Sequence, residues 1–130
     1  MFYLAKIENG RMNVPEPEYL EAGVAIACGE ALVLTDGKLA KCGATVAPKY
    51  IAMSEAAAGA VVPVCRVESN QVYDVPVSGD DSAIKALKAG SKVQLDGDAL
   101  GVSASTTNGV ATIVSLNGAT KAGDIITVRI

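Results

Sequence analysis

The residues best suited to catalysis are a serine and a lysine one helical turn apart, Ser82 and Lys85, in the stretch "SAIK". In acylating enzymes this spacing brings the lysine amine to the nucleophilic serine hydroxyl. The chain has no histidine, which excludes Ser/His and Cys/His mechanisms, and it lacks the Ser-Asp-Asn and Lys-Thr-Gly segments that accompany Ser-x-x-Lys. We therefore expect a first helical turn with an exposed lysine, and a protein that is not an enzyme.

Acidic and thiol side chains could instead bind a metal. Asp80-Asp81 and Asp96-Gly97-Asp98 offer oxygen ligands, but neither stretch continues with the alternating acids of a calcium-binding EF-hand loop. Cys28, Cys42 and Cys65 contain no Cys-x-x-Cys spacing, and a closed zinc site needs four thiolate or imidazole ligands. We expect turn and cap roles for the acids, small buried thiols in a reducing compartment, and no metal.

Cofactor signals are weak. No Gly-x-Gly-x-x-Gly or Gly-Lys-Ser/Thr loop occurs, so no phosphate-binding motif is present. Lys38 follows the Asp36-Gly37 turn, and it resembles the attachment lysine that biotinyl and lipoyl carrier domains present at a hairpin tip. Its flanks, "TDGKLA", lack the Met-Lys-Met pattern of the biotinyl type. We expect no cofactor, with a carrier domain as an alternative that a covalent mass shift on Lys38 would reveal.

Charge and hydropathy restrict the partners. The formal net charge is −3 and the lysines are scattered, whereas binding to nucleic-acid phosphates needs clustered basic residues. No apolar run reaches the ~18 residues of a membrane span. The first residues, "MFYLAKIENGR", lack the order of a signal peptide. The sequence predicts a soluble protein made in a cytoplasm, without a nucleic-acid or membrane partner.

Strand signals dominate the elements that would position these residues. We predict a single β-rich domain over residues 1–130, a compact β-barrel or sandwich of short antiparallel strands with one short helix near residues 80–89. Hydrophobic residues make up 50% of the chain but aromatics only 4%, so Ala, Val, Leu and Ile must build the core.

Turn residues predict three hairpins. Asn9-Gly10 and Asp36-Gly37 provide two-residue turns, because these residue types tolerate positive φ. The second turn would pair Leu34 with Leu39. A third hairpin would join strands that end and begin at Val67 and Val72.

Two segments repeat the same order of signals. "GEALVLTDGKL" is followed by "AGAVVPVCRV", and "GSKVQLDGDAL" is followed by "AGDIITVRI", with Arg66–Val67 and Arg129–Ile130 near the two ends. One explanation is the chance recurrence of turn signals that small β proteins share. The other is an internal duplication, with two similar β-units packed around a pseudo-two-fold axis.

Residues 13–23, "NVPEPEYLEAG", form an extended strap, because Pro15 and Pro17 block a helix and cannot donate to a ladder. In one interpretation the strap lies on its own sheet with Tyr19 as anchor. In the other it is an arm that docks Tyr19 and Leu20 on a partner or adds a strand to another chain's sheet. The candidate partner-contact residues are Pro15, Pro17, Tyr19 and Leu20.

A family resemblance rests on "EYLEAGVAIACGEALVLTDGKLAKCG" and "YIAMSEAAAGAVVPVCRV". There a Gly-led strand pair with an Asp-Gly-Lys hairpin is followed by an Ala/Gly-rich link and a Val-rich strand. Over residues 18–67 the chain resembles small head decoration (capsid cement) proteins of tailed phages. The resemblance implies a non-enzymatic virion subunit, made in the host cytoplasm, that binds the major capsid protein or other virion proteins on the outer shell. It also implies a homo-oligomer, with a trimer favoured, and an arm around residues 15–20.

The main alternative is a β-sandwich binding module for a protein or carbohydrate ligand. Sugar faces usually stack on aromatic rings, and the chain has no Trp and only four tyrosines, which weighs against carbohydrate.

Overall fold

The computed structural model describes residues 1–8 and 16–130, which form a mainly β protein with two sheets and one short helix. The predicted fold class is confirmed, and the short helix lies within the predicted region. The elements in the described residues are β1 Tyr3–Ile7, β2 Glu18–Glu21, β3 Ala31–Thr35, β4 Lys38–Lys41, β5 Tyr50–Ala52, β6 Val61–Arg66, β7 Gln71–Ser78, α1 Asp81–Ala86, β8 Lys92–Val93, β9 Val102–Ser103, β10 Ala111–Ser115 and β11 Ile125–Arg129.

The hairpin between β3 and β4 forms as predicted. Asp36 and Gly37 both have positive φ, 51° and 77°, as a two-residue hairpin turn of type I′ requires. Leu34 pairs with Leu39 in the resulting antiparallel ladder. The predicted turn at Asn9-Gly10 lies outside the described residues.

Apart from β1, the two sheets have matching strand orders. One runs β2-β6-β5-β3-β4, and the other runs β1-β7-β11-β10-β8, with an isolated bridge between Val102 of β9 and Leu95, two residues after β8. In each sheet the last strand returns to the first: Leu39 of β4 forms a parallel bridge with Ala22, and β9 pairs in parallel with β7. Each sheet therefore curls into a small closed unit. We call β2–β6 the first repeat and β7–β11 the second repeat.

The repeats correspond along their paired strands. In the first repeat Gly29 N–H donates to the Ala52 carbonyl (2.8 Å), and in the second Gly90 N–H donates to the Ile113 carbonyl (2.8 Å). The ladders also place the interior side chains at matching positions. These equivalent pairs are Leu20 and Val75, Ala22 and Val77, Leu32 and Val93, Leu39 and Val102, Ala52 and Ile113, Val62 and Ile126, and Val64 and Val128. This correspondence supports an internal duplication over a chance recurrence of turn signals.

Helix α1 lies where the first repeat has a loop. It follows β7, with Asp80 as its N-cap residue, and it buries Ile84 in the core of the second repeat. In the first repeat the loop after β2 buries Ile26 in the same way. The loop of the first repeat and the short helix of the second repeat thus each place one isoleucine in the core.

The predicted third hairpin, across Val67 and Val72, is wrong. Strand β6 pairs with β2 and β5, whereas β7 pairs with β1, β11 and β9. Both sides of each strand are occupied by partners from its own sheet, so residues 67–70 cross from one repeat to the other. Strand β1 lies on the outer edge of β7 and joins the second repeat's sheet, although it precedes the first repeat in sequence.

Candidate interaction surface

The predicted partner-contact residues do not share one surface. Pro15 lies outside the described residues, and Pro17 is exposed beside β2. Tyr19 is 67% exposed on β2, while its neighbour Leu20 is partly buried and packs against the core of the first repeat. Adjacent residues of a strand point to opposite faces, so only one of the two can meet a partner. Tyr19 is therefore the candidate contact, and Leu20 anchors the strand to its own sheet.

Tyr19 belongs to an exposed apolar patch on the outside of the first repeat. It lies directly opposite Pro63 of β6, and Val61 follows on the same side of that strand, 64% exposed. Met53, just after β5, donates its N–H to the Pro63 carbonyl (3.0 Å) and is 45% exposed. We call Tyr19, Met53, Val61 and Pro63 the apolar face.

The apolar face continues a surface that is covered elsewhere in the molecule. Ile51 and Cys65 point to the same side of β5 and β6, but both are buried, and Ile51 belongs to the core cluster that contains Phe2 and Tyr73. The rings of these two aromatic residues meet edge to face, with centroids 6.1 Å apart. The second repeat and β1 thus cover one half of this outer surface, and the apolar face is the half that they leave open.

A groove borders the apolar face at Met53. Its volume is about 330 Å³, and it runs between the two repeats. Apolar side chains dominate its lining, and Cys28 is the exposed cysteine there. The lining residues include Met1, Phe2, Tyr3, Cys28, Met53 and Tyr73.

Two ion pairs lie along β2, and the one made by Glu21 is on the same side of the strand as the apolar face. Glu18 accepts a hydrogen bond from the Arg66 guanidinium at 2.6 Å, and Glu21 lies 2.8 Å from the Lys38 ammonium. The hydrogen bond from Arg66 to Glu18 raises the pKa of the guanidinium. Lys38, the carrier-type lysine, therefore lies in an ordinary surface ion pair at the start of β4.

The equivalent surface of the second repeat is polar. Asp74 and Thr127 take the places of Tyr19 and Pro63, and the Thr127 hydroxyl donates to Asp74 Oδ1 at 2.7 Å. Asn117 Nδ2 in turn donates to the Thr127 hydroxyl at 2.9 Å. The duplicated positions therefore differ: one repeat presents apolar side chains, and the other pairs polar side chains with one another.

The residues considered for catalysis and metal binding occupy turn and surface positions. Ser82 and Lys85 are exposed on the six-residue helix α1. Asp96 accepts a hydrogen bond from the Ser78 hydroxyl, and Asp98 accepts one from the Leu100 N–H at 2.9 Å. Within residues 1–8 and 16–130, no group of three or more acidic, cysteine or histidine side chains could hold a metal ion.

The three thiols differ in accessibility. We expect native protein to show one fast-reacting thiol, Cys28, and three after unfolding, because Cys42 and Cys65 are buried and Cys28 is exposed. Burial raises the pKa of Cys42 to about 11 and also raises that of Cys65, which keeps both as unreactive thiols at neutral pH. A timed reaction with a chromogenic disulfide at pH 8 measures this. Rapid reaction of all three in the native state would contradict the burial.

The sequence prediction named Tyr19 as a candidate contact but did not name the other three members of the apolar face. The run "VVPVCR" carried a usable signal, because one of its two alternating sets must face outward once the other forms the core. The pairing of Tyr19 with Pro63 joins residues far apart in sequence, and only the fold reveals it.

No protein-family model and no curated protein matches the chain. In the parts of the chain that the structure describes, no helix has the length and apolar character needed to cross a bilayer.

Proposed function

We propose that this chain is a structural protein of a phage particle that binds the outer shell through the apolar face and stabilises the shell. The proposal rests on the family resemblance of residues 18–67 and on one observation that carries it: Tyr19, Met53 and Val61 are exposed together around Pro63. Isolated exposed apolar residues are ordinary, whereas a contiguous patch marks a contact site.

The composition of this patch suits a protein partner. An aromatic, a methionine and an aliphatic side chain form its centre, and the ion pair of Glu21 with Lys38 lies at its edge. Protein interfaces share this arrangement, with aromatic and Met residues enriched at the core and charged residues at the rim. The patch lies on two neighbouring strands and the end of a third, so little conformational entropy is lost when a partner covers it.

A capsid shell offers many identical binding sites. A subunit that also contacts its neighbours is held at several points, and it detaches only when all of them release together. Moderate affinity at each apolar face would therefore suffice to hold the whole layer on the particle.

A second candidate is a binding module for a protein ligand, and the groove of about 330 Å³ favours it. The groove adjoins the apolar face and could receive one apolar side chain of a bound peptide. In this case the target would be a free protein and no particle would be needed.

Co-sedimentation tests the two candidates. Phage particles induced from the source culture are banded in a density gradient, and the proteins of the band are identified by peptide mass spectrometry. We expect the chain at tens to hundreds of copies per particle, in keeping with a shell role. Its absence from intact particles, with the chain present in the free protein fraction, would reject the shell role in favour of the binding module.

A further inference from the structure

The two repeats contact each other through different surfaces. Ala31, Ile51 and Cys65 are cross-strand neighbours in one row on the outside of the first sheet, and all three are buried. Ala31 and Ile51 share a core cluster with Leu95 and Tyr73, which lie at one end of the second repeat. A row on one repeat thus covers an end of the other.

Two hydrogen bonds join this row of the first repeat to the second repeat. The Ala31 N–H donates to the Ala99 carbonyl at 2.8 Å. At the other end of the row, Gln71 Nε2 donates to the Cys65 sulfur at 3.7 Å. Ala99 and Gln71 therefore mark the positions on the second repeat that receive the two ends of the row.

The second repeat carries an equivalent row that nothing in residues 1–8 and 16–130 buries. Lys92, Thr112 and Arg129 are cross-strand neighbours at the positions of Ala31, Ile51 and Cys65. Lys92 is exposed and the other two are partly exposed, with Arg129 paired to Glu8 at 2.5 Å. We call these three residues the basic row.

The first repeat has the matching end, and it is open. Leu34 is the equivalent of Leu95, because Leu34 pairs with Leu39 and Leu95 pairs with the equivalent Val102. Leu34 is 44% exposed, whereas Leu95 is only 1% exposed. A concavity of about 340 Å³ lies there, lined in part by Leu34, Tyr50 and Arg66. We call this region the open end.

The open end carries acids at the positions that receive the row. Asp36 corresponds to Ala99, and both have positive φ, 51° and 57°. Glu18 corresponds to Tyr73, since each pairs with an equivalent valine, and Glu16 corresponds to Gln71. A repetition of the internal contact would therefore place Lys92 beside Asp36, and Arg129 beside Glu16 and near Glu18, which Arg66 of its own chain already pairs.

We propose that copies of this chain associate head-to-tail, with the basic row of one copy packed on the open end of the next. The contact repeats the one that already joins the two repeats, with ion pairs where the internal contact is apolar. Such a heterologous contact closes into a ring or extends into an open chain, depending on the rotation between copies. This proposal is independent of the shell role, and its test uses the purified chain alone.

Sedimentation velocity of the full chain over a range of concentration and salt provides the first test. We expect self-association that weakens as NaCl rises, because exposed ion pairs are screened. Lys92→Glu should lower the association constant at least about tenfold. Lys121→Glu makes the same charge change at the far end of β11, away from the row, and should leave the association constant unchanged.

A mixing experiment distinguishes head-to-tail contact from a symmetric one. Leu34→Arg blocks the open end, while Lys92→Glu blocks the basic row, and each variant alone should be monomeric at a concentration where about half of the wild-type chain is associated. Their equimolar mixture retains one intact contact and should form a 1:1 dimer that cannot grow further. Circular dichroism confirms that both variants are folded.

Three results would overturn the proposal. One is a wild-type chain that stays monomeric at low salt and high concentration. The second is an equal effect of Lys92→Glu and Lys121→Glu on the association constant. The third is a mixture of the two blocked variants that remains monomeric, because a head-to-tail contact requires it to dimerise.

Discussion

Replacing Gly109 by alanine is expected to destabilise the protein by about 3 kcal/mol, at the upper end of overpacking effects. The new methyl carbon would lie 2.4 Å from the Lys92 carbonyl carbon and 2.6 Å from the Val93 nitrogen. These atoms are backbone and cannot rotate away. The strand that follows is also fixed, since the Val110 N–H donates to the Val93 carbonyl at 2.9 Å. Relief of the clash therefore requires β8 and β10 to separate.

Gly97→Ala is the matched control. The same methyl group added at Gly97 meets nothing within 4 Å, so the change should stay within about 0.5 kcal/mol. Urea unfolding of both variants, compared at equal m-values, measures the difference. Equal midpoints for the two variants would show that β8 and β10 are not packed as described.

On the proposed shell role, the double variant Tyr19→Ser/Val61→Ser is expected to lower the affinity for phage particles by about a hundredfold. Truncating a central apolar contact of an interface costs roughly 1–2 kcal/mol, and two such losses give this factor if they add. Both side chains are mostly exposed, at 67% and 64%, so the melting temperature should change little. Quantitative co-sedimentation with particles stripped of this protein gives the affinity.

The second repeat supplies the control for this variant. Ile125 occupies the position of Val61 and is 49% exposed, but its neighbours Asp74 and Thr127 are polar. Ile125→Ser should therefore leave binding unchanged. If it weakens binding as much as Val61→Ser does, or if the double variant binds normally, the apolar face is not the contact surface. Deletion of residues 1–22 is less informative, because it removes β1 from the sheet of the second repeat and β2 from the sheet of the first repeat.

Local signals predicted the local structure well. The turn at Asp36-Gly37 and the helix near residues 80–89 depend on residues close in sequence, and both are present. The pairing of strands that are distant in sequence was harder to predict. The run around Val67 and Val72 has the order expected of a hairpin: strand, polar loop, strand. The same order also occurs where two consecutive strands enter different sheets, and the sequence does not distinguish the two cases.

The duplication was visible as a pattern but not in its register. The sequence aligned Arg66 with Arg129, whereas the ladders make Cys65 the equivalent of Arg129. A shift of one residue moves a side chain to the other face of its strand. With the correct register, the buried Cys65 thiol of one repeat corresponds to the accessible Arg129 guanidinium of the other. The basic row can be recognised only from this register.

The position of β1 also affects how the chain folds as it is made. Its sheet partner, β7, is synthesised only after every strand of the first repeat. The ribosome therefore releases a complete first repeat while β1 still has an unpaired edge, and β1 can dock only when residues 71–78 emerge. On a polysome, where several nascent chains lie close together, that waiting strand can also reach the β7 of a neighbouring chain. Exchange of β1 between chains during synthesis is the characteristic error that this strand order invites.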